Sequence, residues 1–192
     1  MSDAALALSG RMQGNVHVFP VRVYYEDTDA GGIVYHANYL RFAERARTEM
    51  LRLLGVPHAE QVAASGAAFA VRRCTADFVA PARLEETLEV RSRITAVSGA
   101  TVLAEQTIYR PQSDGIVPAA PAADVNIDGA AVTDRILVRL TLKLACINAQ
   151  GRAVRVPAPV AAAFARLGVG GGAGDKINTK GDGAATGRPS EE

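Results

Sequence analysis

The chain has 192 residues, with 21 Lys and Arg against 20 Asp and Glu, for a net charge of +1. That length suits one packed domain and is short for two. A charge so near balance argues against a protein held to nucleic acid by phosphate contacts, and no apolar run approaches the roughly 20 residues of a membrane span.

Residues 1–15 are small and polar and are expected to form a loose, flexible arm; they lack the basic and continuous apolar segments of a secretory leader. Val21, Val23 and Tyr25 then alternate with Arg22, Tyr24 and Glu26, the period of a strand. Asp27-Thr28-Asp29-Ala30-Gly31-Gly32 breaks it with acidic turn formers and two glycines free to take positive φ. Tyr39, Ala43, Ala46, Met50 and Leu53 follow at helical spacing, with Arg41, Arg45, Thr48 and Arg52 on the opposite, wet face. The helix is expected to run to about Leu54 and stop at Gly55-Val56-Pro57. A carboxylate-bearing turn therefore leads straight into a helix N-terminus. There, unpaired N–H groups and a partial positive charge suit a developing oxyanion. A carboxylate just upstream suits a nucleophile or a general base.

After a short connection or partial helix at 58–66, strand-like runs are expected over Ala67–Ala80, Leu84–Val97 and Thr101–Tyr109, forming an antiparallel meander. Pro111–Ala131 has no sustained period and is expected to be an inserted loop. Ile136, Val138, Leu140, Leu142, Leu144 and Cys146 alternate with Arg139, Thr141 and Lys143, the clearest strand in the chain. Pro157-Ala158-Pro159 opens a short helix ended by Gly168, and 169–192 is Gly-rich, polar and expected to be disordered. Cys74 and Cys146 lie far apart in strand-like runs and are expected to be reduced core residues of a cytoplasmic protein. The whole is an α+β domain of about five strands with one long helix. Apolar surface left uncovered by that helix favours a dimer.

The run Tyr25-Glu-Asp-Thr-Asp-Ala-Gly-Gly-Ile-Val-Tyr-His-Ala-Asn-Tyr39, with Glu44-Arg-Ala-Arg-Thr-Glu49, resembles the hotdog-fold acyl-CoA thioesterases. It is most similar to the Tol–Pal-associated branch of the hydroxybenzoyl-CoA thioesterase family. The likeness continues through Phe69-Ala-Val-Arg-Arg73 and Ala80-Pro-Ala-Arg-Leu84 and covers roughly 20–110 and 132–165. The resemblance implies a hotdog domain over 16–168, in which an antiparallel sheet wraps one central helix. It also implies hydrolysis of an acyl-CoA or acyl-carrier-protein thioester, and no metal or cofactor. The family's catalytic carboxylate falls on Asp29, and the backbone N–H that polarises the thioester carbonyl falls on His36. Gly32 and Tyr35, inside the same motif, are expected to contact substrate, while Asp27 and Glu26 carry no catalytic role. Active sites in the family sit at an interface, so a homodimer or homotetramer is implied.

Relatives commonly place a basic residue where this chain has the uncharged turn Ser98-Gly99-Ala100-Thr101. Arg72 and Arg73 are expected to hold the CoA phosphates in its place, with Arg91 and Arg93 as the other cations at hand. Asp27-Thr-Asp29 is also similar to the start of haloacid-dehalogenase-type phosphatases, but consecutive strands after residue 67 do not fit their alternating β/α units. Asp124-Val-Asn-Ile-Asp-Gly129 begins like a calcium loop, yet Arg135 stands where the bidentate Glu is needed. Gly170–Gly174 is followed by Asp175-Lys176 and is a linker; His17 and His58 have no partner spacing. A dimer that binds acyl groups without cleaving them is the alternative function. Asp29 argues against it, because a pure binder has no need of a carboxylate leaning into a site.

Overall fold

A computed structural model describes residues 8–111 and 136–169. The strands are β1 (Arg11–Gln13), β2 (Val16–Arg22), β3 (Ala68–Phe78), β4 (Thr87–Ser98), β5 (Thr101–Tyr109) and β6 (Ile136–Ile147). The helices are α1 (His36–Leu53), α2 (His58–Ser65) and α3 (Ala158–Ala165). The strands form one antiparallel sheet in the order β1-β2-β4-β5-β6-β3. The expected insertion, beyond Pro111, and the expected tail, beyond Val169, lie outside the described residues.

Tyr39, Ala43, Ala46 and Met50, four of the five residues of the expected helical stripe, are buried, and Phe42 and Leu51 widen it. The helix lies against β2 and β4. Ala43 and Ala46, too small to hold the backbones apart, let it approach Val21, Leu88, Val90 and Ile94 closely. Each large side chain sealed here contributes roughly 1.5–3 kcal/mol. One polar network is sealed with them. Buried Gln106 on β5 donates through Nε2 to the Ala43 carbonyl (2.9 Å) and to Ser92 Oγ (2.8 Å). Its Oε1 accepts from Arg47 Nη1 at 2.6 Å, while Arg47 also pairs with Glu44.

Three expectations are corrected by the sheet. The N-terminal arm is not loose throughout, because β1 pairs with β2 in register Met12 to His17. Ser9 holds the approach to it: its Oγ donates to Glu49 Oε2 (2.6 Å), and its carbonyl accepts the Nε2–H of buried His17 (2.7 Å). Gly10 has φ +76, and a Cβ there would sit 2.3 Å from the Val18 carbonyl, so this crossing requires glycine. Second, of the three strands of the expected meander only β4 and β5 pair as a hairpin, through Gly99 at φ +57; β3 instead crosses to the far edge and pairs with β6. The sheet thus has six strands, not five. Third, Cys146 is buried but Cys74 is exposed, because β3 is an edge strand whose outer face no described residue covers.

His17, which the spacing left without a role, gives the fold a pH dependence. Burial pushes its pKa below 6.5, partly offset by the Ser9 carbonyl and the Glu49 charge. A depressed imidazole contributes stability that is complete above the unfolded-state value and lost as pH falls through the folded one. The urea midpoint therefore drops as pH is lowered below about 6.5, and His17→Gln flattens that part of the profile. An unchanged slope in the variant assigns the pH dependence to other groups.

Candidate active site

The strand expected over 21–26 ends earlier, at Arg22, because the chain is drawn into a 3-10 turn over Tyr25–Asp27. Asp27 makes that turn: its Oδ2 accepts the Tyr24 N–H at 2.9 Å. Its carbonyl accepts the Tyr35 N–H (2.9 Å) and Asn38 Nδ2–H (3.0 Å), so this buried residue fastens the strand exit to the start of α1. Asp27→Ala should lower stability by about 1–3 kcal/mol, since it strands a backbone donor in a partly buried place. Asp27→Asn, which keeps an acceptor, should cost much less. Equal melting temperatures for the Ala variant and wild type would show that the carboxylate does not hold the turn.

The acidic turn itself is a short hairpin. Thr28 bridges Val34, the Asp29 N–H donates to the Ile33 carbonyl (2.9 Å), and the Gly32 N–H donates to the Asp29 carbonyl (2.9 Å). Gly32 has φ +70, a backbone that L-residues resist. The Gly31 N–H donates to Asp29 Oδ1 at 2.8 Å and so fixes the carboxylate's direction. Among the described residues Oδ2 has no partner, and Asp29 is exposed rather than leaning into the interior. The argument against a binder that rested on a costly buried carboxylate therefore falls away. Its orientation by a backbone N–H on an exposed turn stands instead.

The far limb of the hairpin runs into α1 two residues later. Tyr35 is the cap residue, but its side chain makes no capping bond, and the Asn38 N–H is taken by the Tyr35 carbonyl (2.8 Å). The N–H groups of His36 and Ala37 have no carbonyl four residues back to bind, as at any helix start. Around them stands an aromatic wall. The His36 ring lies 4.4 Å from Tyr35 and edge-on to Phe78 at 6.2 Å, and Phe78 lies 6.0 Å from Tyr39. The Tyr39 hydroxyl accepts the Ala82 N–H at 2.8 Å, and burial raises its pKa, keeping the phenol protonated.

Asp29 and Gly32 share an open cleft with Tyr25, Thr28, Ala30 and Leu84. Asp29, Gly32, Tyr35 and His36 are thus brought together by one hairpin-to-helix unit. Arg72 and Arg73 are not. They lie on the exposed part of β3, at a bulge between Val71 and Arg73, and Arg73 is roughly 17 Å of extended chain from Phe78. Arg91 and Arg93 are engaged elsewhere, paired with Glu89 and Glu105, and Arg91 also stacks over the Tyr109 ring. Another cavity, of about 60 Å³, lies at the other half of α1 between Leu51, Phe69, Val71 and Phe164. Phe78 and Tyr25 were legible as strand residues but not as walls of a site. Only the crossover of β3 and the 3-10 turn put them there.

The chain is 38% identical over 157 residues to the acyl-CoA thioesterase YbgC of Haemophilus influenzae, covering 81% of this chain and 99% of that protein. It is 50% identical over 97 residues to the acyl-CoA thioester hydrolase YbgC of Escherichia coli O6:H1, covering 50% of this chain and 70% of that one. Among solved structures, a probable thioesterase from Bartonella henselae superposes with a TM-score of 0.59 at 33% identity, over 74% of this chain and 99% of that one. Residues 23–164 match the family model of the thioesterase-like superfamily. That span begins just past β2 and ends inside α3, so it takes in the acidic hairpin, the central helix and the four long strands. The chain belongs to the thioesterase-like superfamily and has its hotdog fold.

Proposed function

We propose that this protein hydrolyses acyl-CoA to the free acid and CoA thiol, with Asp29 as the reacting carboxylate and the start of α1 as the oxyanion site. The observation that carries this is the Asp29 carboxylate, aimed by the Gly31 N–H on a hairpin that runs directly into a helix start with no side-chain cap. The His36 N–H and the helix dipole stabilise negative charge on the thioester oxygen. Asp29 either attacks the carbonyl carbon, giving a mixed anhydride that water opens, or takes a proton from the attacking water. In both routes a C–O bond replaces the C–S bond, and a proton from water ends on the thiol. The reaction needs no metal or cofactor. Free-thiol titration during incubation with a panel of acyl-CoAs tests the proposal. Continuous release supports it, whereas binding without turnover across the panel favours the non-catalytic reading. The same assay on acyl-carrier-protein thioesters decides the carrier.

The working unit is a homodimer, or a homotetramer built from it. Among the described residues, β3 presents an eleven-residue edge with no strand beside it, and Val71 and Phe78 are half-exposed on it. An edge so long is a template for another strand. Antiparallel pairing with a second copy about its middle would carry one protomer's Phe69 and Val71 toward the other's Phe78 and His36. Sedimentation at micromolar protein should give at least a dimer; an active monomer overturns this. The cytoplasm, where Cys74 and Cys146 stay reduced, fits both cysteines being free.

A further inference from the structure

The segment Pro81–Glu86 brackets the acidic hairpin from both sides. Before the hairpin, the Val23 N–H donates to the Glu86 carbonyl (2.9 Å) and the Glu85 N–H donates to the Val23 carbonyl (3.0 Å). Beyond it, the Val34 N–H donates to the Ala82 carbonyl (2.9 Å), and Arg83 bridges Ile33. The ends are tied by one guanidinium: Arg110 donates to the Pro81 carbonyl (2.9 Å) and to both oxygens of the Glu86 carboxylate. Arg83 and Glu85 are each held by a backbone partner, and Leu84 between them is left to project. It is 44% exposed and lines the cleft that holds Asp29.

The backbone that achieves this is strained. Glu85 has φ +67 and is the one non-glycine residue among those described with a positive φ. A left-handed Glu persists only where its surroundings over-determine it, and such positions gather at ligand clamps. The opposite wall is Tyr25, 83% exposed, an aromatic ring held out on the 3-10 turn. The Thr28 hydroxyl in the cleft already donates to the Tyr25 carbonyl at 2.9 Å, so the Tyr25 phenol is the hydroxyl left to bond a ligand. Apart from that phenol and the Asp29 carboxylate, its walls are the Tyr25 ring, Ala30, Gly32 and Leu84, which offer apolar surface. That suits the acyl group of a thioester better than the amide-rich arm of its thiol.

We propose that Leu84, held in place by the left-handed turn at Glu85, is the wall that sets which acyl groups reach Asp29. This rests on the reading of Asp29 as the reacting carboxylate. A short straight chain passes between Tyr25 and Leu84, and a branched or aromatic acyl group meets the leucine.

The test is kcat/KM for butyryl-CoA and benzoyl-CoA, with the same thiol in both. Leu84→Ala should raise the benzoyl-to-butyryl ratio by about tenfold, the lower end of what one pocket contact discriminates. Leu84→Met should restore the wild-type ratio. Glu85→Gly, which takes up the same φ without strain, should shift the ratio the same way by a smaller factor at an undiminished melting temperature. An unchanged ratio in Leu84→Ala overturns the proposal. So does an equal change for both substrates, which would place Leu84 on the thiol arm. A wild-type ratio in Glu85→Gly overturns the role given to the strained turn. Failure of the Asp29 reading shows separately, as turnover that survives Asp29→Asn, because the ratio is measured on proteins that keep that carboxylate.

Discussion

Asp29→Asn should lower kcat on a short acyl-CoA by at least about a hundredfold while the protein folds as before. That loss corresponds to roughly 2.7 kcal/mol of barrier. The substitution is a clean one, since an amide oxygen can still accept the Gly31 N–H that Oδ1 accepts at 2.8 Å. The hairpin keeps its shape, and only the charge and basicity are removed. Steady-state thiol release, with circular dichroism as the control for folding, measures it. Near wild-type turnover in a folded variant would sink the assignment. Asp27→Asn is the matched comparison, because Asp27 spends its carboxylate on the Tyr24 N–H and faces the interior. Equal losses at both positions would mean that the wrong carboxylate has been chosen.

Gln106→Leu should destabilise the protein by about 2–4 kcal/mol, although leucine nearly matches its volume. The loss comes from what the side chain holds. Ser92 Oγ would lose its donor, and Arg47, whose side chain is 11% exposed, would keep only Glu44 as a partner for a charge held mostly away from water. The network also ties the middle of α1 to β4 and β5, so its loss loosens the helix whose first turn forms the site. A fall in urea midpoint at constant slope is the expected reading. A shift below about 0.5 kcal/mol, the size of an ordinary surface change, would show that water replaces every partner.

The central unit was legible in the sequence because its signals are local. The change from period two to period 3.6 across Gly31-Gly32 located the turn and helix, and the residues of α1 carry their own burial pattern. The alternation in β6 was legible for the same reason. What failed was long-range or depended on one side chain. Nothing in the sequence near Ala68 says that β3 will pair with a strand some 60 residues later, so Cys74 was assigned to a core that does not reach it. Arg72 and Arg73 were expected at the site as substitutes for a missing basic turn, and they sit on the exposed part of β3. The early end of β2 followed from one bond, Tyr24 N–H to Asp27 Oδ2, that alternation cannot reveal. β1 escaped notice because three residues held by pairing with β2 carry no periodicity.

The crossing of β3 to the far edge has a consequence for how the chain is made. β3 is complete at Phe78, but its partner β6 begins at Ile136. At about 5–20 residues per second, a ribosome takes roughly 3–12 s to supply that stretch. During that interval β1, β2, β4 and β5 can assemble against α1, while β3 has no neighbour to receive its hydrogen bonds. A nascent chain stalled before Ile136 therefore displays, besides the β1 edge, open strand edges on β3 and β5 that β6 fills in the finished sheet. Polysomes carrying this message hold many such chains side by side, and the exposed edges invite pairing between neighbours before release.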